Sequence, residues 1–185
     1  MKKFKSLFCV ALFAMALFCV ENINAQQKEG VTINGVTWAT TNVGATTIEG
    51  NGSYYTWEQA KTACPKGWRL PTMKELEMFQ NVVPSEEDFG VYDIEAKVPS
   101  TWTTLNGKNG RHFTDKVTGN NIFMPAAGYR YDNDGTLNYV GTYGFYWSST
   151  EYSSTHAYYL SFRSGSVGLY NYYNNFSFSV RCVAE

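Results

Sequence analysis

Apolar and polar positions first fall into a two-residue alternation at Val31-Thr-Ile-Asn-Gly-Val-Thr-Trp38. That alternation predicts a β-hairpin, because Asn34-Gly35 supplies the positive φ angles of a type I′ turn between two short runs. The period then lengthens. Thr56-Trp-Glu-Gln59 matches a capping box, Trp57, Ala60 and Cys64 share one helical face, and Pro65 is the expected stop. A second capping box, Thr72-Met-Lys-Glu75, follows Pro71, with Met73, Leu76 and Phe79 on one stripe and Pro84 as the stop.

From about Trp102 onward the pattern predicts strands. Phe113 and Ile122-Phe123-Met124 flank a turn at Thr118-Gly119-Asn120, and Tyr129 and Leu137 to Val140 flank Asp132-Asn133-Asp134-Gly135. Further on, Leu160 and Phe162 alternate with Tyr159, Ser161 and Arg163, and Val167 and Leu169 alternate with Ser166, Gly168 and Tyr170. With Ser164-Gly165 as the turn, this predicts a two-stranded ribbon: the aliphatic set and Phe162 inward, the Tyr, Ser and Arg set outward. Helices segregated from a run of antiparallel strands indicate an α+β domain. Tandem repeats and low-complexity linkers are absent from the sequence.

The amino end changes the picture of the compartment. Lys2, Lys3 and Lys5 precede an apolar stretch from Leu7 to Val20, followed by Asn22-Ile23-Asn24-Ala25. The stretch is too short for a comfortable membrane span and reads as a secretory signal peptide over 1–25, cleaved after Ala25. Phe18 before Cys19 is a poor match to a lipoprotein site, so a freely secreted product is expected, in the periplasm or at the cell surface, with no membrane insertion once the signal is removed. The remaining 26–185 is one domain by length, long enough to bury a real core.

Removing the signal leaves Cys64 and Cys182, near opposite ends of the domain. In an oxidising compartment one disulfide is the simplest outcome, two unpaired buried thiols the alternative. A net charge of -1 leaves no electrostatic footprint for nucleic acid. With 14 Tyr, 12 Phe and 5 Trp, the aromatic share favours strands over a helical bundle.

Catalytic chemistry finds little purchase. His112 and His156 are the only histidines, and neither has a second His or Cys at metal-ligand spacing. The sequence offers no phosphate-cradling glycine loop, no GxSxG elbow and no CxxC pair. Glu86, Glu87, Asp88 and Asp93 read as a solvated loop. The acidic turn at 132–135 does not fit an EF-hand. No enzyme activity, no metal and no cofactor is expected.

Four segments in order, YYTWEQAKTACPKGWRLPTMKELEMF, FMPAAGYR, YWSSTE and SVRCV, resemble the Fibrobacter succinogenes major paralogous domain family, which is similar to the C-type lectin fold. The resemblance runs from about Val31 to Val183. It implies two short helices packed on twisted antiparallel sheets, a last strand returning beside the first, and a Cys64–Cys182 bond from the first helix to the last strand. The tripeptides with which calcium-dependent lectins hold sugar, Glu-Pro-Asn or Gln-Pro-Asp and then Trp-Asn-Asp, do not occur. Formylglycine-generating enzymes share a related scaffold, but no cysteine is left over for their catalytic pair.

Residues 152–178 contain no Lys, Glu, Gln, Met or Trp. A face selected for solubility alone would use Lys and Glu. Tyr instead offers rigid amphipathic contact area, and Ser, Gly and Asn offer adaptable hydrogen bonds. The pattern resembles the variable proteins of diversity-generating retroelements, whose adenine-mutated Asn codons yield Tyr, Ser, Thr, His, Arg, Gly, Phe and Asn but never those five types. On this reading the ligand-binding set is Tyr152, Ser153, Ser154, Thr155, His156, Tyr159, Ser161, Arg163, Ser166, Gly168, Tyr170, Asn171, Tyr172, Tyr173, Asn174, Asn175 and Phe176, and the partner is a protein or cell-surface ligand. An undiversified adhesin or fimbria-associated module is the alternative.

Overall fold

The computed structural model describes residues 30–84, 91–131 and 134–185. The predicted signal segment 1–25, the acidic residues Glu86, Glu87 and Asp88, and half of the turn at 132–135 lie outside them.

Strands β1 (Gly30–Ile33) and β2 (Val36–Ala39) form the predicted hairpin, with Val31 opposite Trp38, and Asn34 and Gly35 at φ 47° and 81°. Helix α1 (Trp57–Ala60) begins at a complete capping box on Thr56 and Gln59, and α2 (Met73–Leu76) at one on Thr72 and Glu75. Both are shorter than the periodicity suggests. Beyond α1 the amides of Thr62 and Ala63 bond three residues back, to Gln59 and Ala60, and Pro65 disfavours helical geometry at Cys64. Cys64 therefore follows the helix rather than riding on it. Beyond α2 a 3-10 turn over Glu77–Phe79 ends the helical segment, and the chain enters β4 (Val82–Pro84), paired with β5 (Val91–Asp93), so Pro84 closes a strand and not a helix.

Strand β3 (Trp68–Arg69) lies between the two helices. Strands β6 (Ser100–Leu105), β7 (Lys108–Thr114) and β8 (Asn121–Pro125) form one antiparallel sheet, and β9 (Tyr129–Arg130) pairs with β10 (Leu137–Asn138). Strands β11 (Gly144–Ser153), β12 (His156–Phe162) and β13 (Val167–Tyr173) form another with β12 central. The last strand, β14 (Val183–Ala184), sits between β2 and β3, so the chain end returns to the opening hairpin through its second strand rather than its first. Among the described residues the architecture is mostly antiparallel sheet with two short helices, an α+β arrangement.

Cys64 and Cys182 form a disulfide with Cα atoms 5.9 Å apart, closing a separation of 118 residues. Beside it Arg181 is wholly buried. Its Nε donates to Asn42 Oδ1 (2.9 Å), Nη1 to the Ala39 carbonyl (2.9 Å) and Nη2 to the Phe123 carbonyl (3.0 Å). Burial pulls this guanidinium down to a pKa of about 10, so it stays charged at neutral pH with no carboxylate among its hydrogen-bond partners. It ties the carboxyl-terminal segment to β2 and β8 at once.

Two hydrophobic clusters form the interior. One gathers Trp38, Leu76, Phe79, Phe113, Leu160 and Phe162; the other gathers Trp57, Leu70, Trp147, Tyr159, Phe178 and Val180. Because side chains alternate along β12, each face of the β11-β12-β13 sheet meets a different cluster.

Candidate ligand-binding surface

In the ribbon, Leu160 stands opposite Leu169 and Phe162 opposite Val167, while Tyr159 stands opposite Tyr170 and Ser161 opposite Gly168. The partition into two sets follows the sequence expectation. Leu160, Phe162 and Val167 are buried in the first cluster, with Leu169 packed against it. The other set does not simply face water. Tyr159 and Ser161 are only 9% and 8% exposed, and Gly168 is buried as well. The reason is a layer of rings around them: in the same sheet β11 places Phe145 opposite Ser161 and Trp147 opposite Tyr159, and Phe178 stacks on Trp147 at 4.2 Å and lies 4.9 Å from Tyr159. Gly168 is covered by the Tyr170 ring, whose atoms lie 2.8–2.9 Å from where a Cβ would stand. Tyr159 and Ser161 are thus floor rather than rim, and Gly168 lies beneath Tyr170.

The segment that ends the chain makes this layer possible. Residues 177–179 are extended backbone held by single bridges, Tyr55 to Phe178, Arg130 to Ser177 and Tyr146 to Ser179, rather than the regular strand expected for FSVRC. The Trp57 amide donates to the Asn174 carbonyl (3.0 Å), so the start of α1 fixes the loop after β13.

Of the remaining predicted residues, Tyr152 (56%), Tyr172 (39%) and Tyr173 (52%) are well exposed, as are Ser154, Thr155, Arg163 and Asn175. Ser153, His156, Ser166, Tyr170, Asn171, Asn174 and Phe176 are half-buried. They divide between two faces. Tyr152, His156, Tyr158 and Tyr173 form an aromatic group around the β11–β12 turn, with the His156 and Tyr173 rings 4.2 Å apart. Tyr170, Tyr172 and Phe176 join Tyr159 on the other side.

On that second side are two hollows. One, of about 310 Å³, is lined by Tyr143, Phe145, Tyr159, Ser161, Arg163, Ser166 and Tyr170, with Val82 and Phe162. The other, of about 240 Å³, is lined by rings alone: Tyr129, Tyr139, Phe145, Tyr159, Tyr172, Phe176 and Phe178. Phe145 and Tyr159 line both. The rings meet steeply, Tyr129 to Phe145 at 89° and Tyr172 to Phe176 at 87°, so they close the second hollow from several sides. Burial pushes the phenols of Tyr159, Tyr170 and Tyr129 above their usual range, with Arg163 opposing the shift at Tyr170. They are neutral hydrogen-bonding groups at physiological pH.

Arg163 is positioned from below and beside. Buried Arg111 donates from Nε to the Arg163 carbonyl (3.0 Å) and from Nη2 to the Ser164 carbonyl (2.8 Å), pinning the ribbon's turn. The Arg163 side chain donates to Ser166 Oγ (3.1 Å) and reaches Tyr143 Oη (3.4 Å). Sequence reasoning missed Arg111, Tyr129, Tyr139, Tyr143 and Phe145. The alternation of Phe145 and Trp147 against Tyr146 and Ser148 could have placed Phe145 beside the ribbon; nothing local marks Tyr129 or Tyr139, which arrive through the fold. No cluster of three or more His, Cys, Asp or Glu side chains among the described residues is placed to hold a metal ion.

Sheets of this topology, two capped helices and an aromatic ribbon tied down by a long-range disulfide define an α+β domain with a concave aromatic surface. The chain belongs to the Fibrobacter succinogenes major domain family, whose model matches residues 19–184. The match begins within the segment read as a signal peptide. Searches of curated proteins and of solved structures find no match.

Proposed function

We propose that this is a secreted binding protein, not an enzyme, built on a C-type lectin-like fold, and that it recognises a protein or cell-surface ligand through the Tyr-, Ser- and Asn-rich surface of residues 152–177. The observation that carries this reading is the pairing of an aromatic, lysine- and glutamate-free surface with a separately packed support. Leu160, Phe162 and Val167 are buried in one cluster while the opposite face of the same strands opens into two aromatic hollows. Exposed tyrosines in and beside such hollows provide contact area with little entropy loss, the usual basis of binding hot spots. The disulfide supports an oxidising compartment. No helix among the described residues is long and apolar enough to cross a membrane, which is compatible with release after signal cleavage.

The restricted residue set of 152–178 further supports diversification by a retroelement. Sequencing the gene and its flanks across related isolates tests this. Diversification predicts a near-copy repeat nearby and differences concentrated at the codon positions where that repeat carries adenine, in the codons for Tyr152, Ser154, Thr155, Arg163, Tyr172, Tyr173 and their neighbours, with Leu160, Phe162 and Val167 constant. Uniform codons, or changes spread evenly through the domain, reject it in favour of an undiversified module.

A further inference from the structure

The two hollows differ in chemistry while sharing a wall. The first holds a guanidinium and two kinds of hydroxyl: Arg163, the Ser161 and Ser166 side chains, and the phenols of Tyr143 and Tyr170. The second holds only aromatic rings. Neither is lined by a carboxylate, an amide side chain or a lysine.

Arg163 is exposed and makes no ion pair among the described residues. Asp93 stands opposite Val82, which lines the first hollow, and makes no ion pair with Arg163. A second guanidinium, Arg111, lies directly beneath the turn and bonds only to backbone carbonyls and the Ser100 hydroxyl. With no ion-pair partner for either guanidinium among the described residues, this end of the surface is attractive to an anion, and a guanidinium beside hydroxyls suits a planar carboxylate. The adjoining hollow has room for one large side chain and gives it ring faces and edges on several sides.

Resting on the binding role above, we infer that the two hollows read one protein segment in which a carboxylate stands next to a large apolar or aromatic side chain: the carboxylate on Arg163, the side chain in the ring-lined hollow, with Phe145 and Tyr159 as the shared partition. A neutral carbohydrate fits less well, since it brings no anion to the Arg163 guanidinium. The geometry also ranks the residues. Arg163 sets the anion requirement, Tyr172 and Phe176 set the size of the apolar group, and Tyr152 with Tyr173 lies on the other face, outside this site.

The test uses the disulfide-bonded domain, isotope-labelled, titrated with N-acetyl-L-phenylalanine as the free acid and with N-acetyl-L-phenylalaninamide as its neutral counterpart, following amide chemical shifts. The acid should move resonances of Ser161 to Tyr170 together with Tyr172 and Phe176, and the amide should bind at least tenfold more weakly. Arg163→Gln should remove the difference between the two probes without lowering the melting temperature, and Arg163→Lys should restore part of it. Equal binding of acid and amide to the unmodified protein overturns the carboxylate assignment. Shifts confined to the Tyr152 and Tyr173 face, or no shifts at all, overturn the site. Tighter binding of N-acetylneuraminic acid at the same residues would replace the protein segment with an acidic sugar. Each of these outcomes leaves the isolate sequencing to decide diversification separately.

Discussion

Removing the Cys64–Cys182 bond should cost a large part of the protein's stability. The bond closes a separation of 118 residues between the turn after α1 and the residue before β14. Treated as lost entropy of the unfolded chain, a loop of that length corresponds to about 4.9 kcal/mol at 25 °C. Whole domains are stable by only about 5 to 15 kcal/mol, so the loss is a third or more of the total. The perturbation is Cys64→Ala with Cys182→Ala, compared with each single substitution, and the assay is urea unfolding followed by tryptophan fluorescence. With a slope of about 2 kcal/mol per molar, a loss of about 5 kcal/mol moves the midpoint by about 2.5 M. The double variant should also unfold with a steeper slope, because its denatured chain exposes more surface once the tether is gone. Each single variant should cost nearly as much as the double one. A loss below about 1 kcal/mol, or single variants that differ widely from each other, would refute the entropic reasoning and leave only local packing of the sulfur atoms.

Two further outcomes follow from the polar interior. Arg181→Met removes the donor to the Ala39 and Phe123 carbonyls and to Asn42 Oδ1, and with unsatisfied buried acceptors costing about 1 to 3 kcal/mol each, partly offset by relief of the buried charge, it should destabilise by about 3 kcal/mol; unchanged urea midpoints would contradict this. Glu75 accepts from both Arg69 terminal nitrogens and from the Thr72 amide and hydroxyl, and these contacts, the Arg69 bond first, hold its carboxyl down at about 2. Because the folded value lies below the ordinary 4.5, the stabilisation is fully present above that pH and is lost as pH falls toward 2. Discounted for the exposed Arg69 side chain, it amounts to about 1 to 2 kcal/mol. The stability gap between the unmodified protein and Glu75→Gln should therefore be present at pH 6 and shrink by pH 3; a gap independent of pH would contradict the assignment.

Local chemistry was the most legible part of the fold. Asn34-Gly35, both capping boxes and the turns at 118–120 and 164–165 each carry their geometry in a few adjacent residues, and all stand where the sequence puts them. The same signal at Asn106-Gly107, which closes β6 onto β7 with φ values of 47° and 78°, passed unread. Helix length was less legible, since it is set at Cys64 by the following proline and after Leu76 by tightening into a 3-10 turn. The ribbon's two faces were correctly separated by alternation, but alternation cannot report what lies across a face. Phe145 and Trp147 on the neighbouring strand and Phe178 far along the chain turned Tyr159 and Ser161 from an exposed stripe into the floor of a concavity. Arg111 and Arg181 look like ordinary surface cations in the sequence; only the fold brings carbonyl acceptors around them.

A recognition surface carried by an independent support should accept new side chains without losing the fold. A library with Tyr, Ser, Asn, Arg, Gly and Phe mixed at positions 152, 154, 155, 163, 172 and 173, displayed and sorted for protease resistance, measures this at once for thousands of variants. Nearly all members should resist proteolysis as the parent does, whereas the same mixture at Leu160, Phe162 and Val167 should leave few survivors. Comparable losses in both libraries would mean that the exposed tyrosines are structural and that no separable binding surface exists.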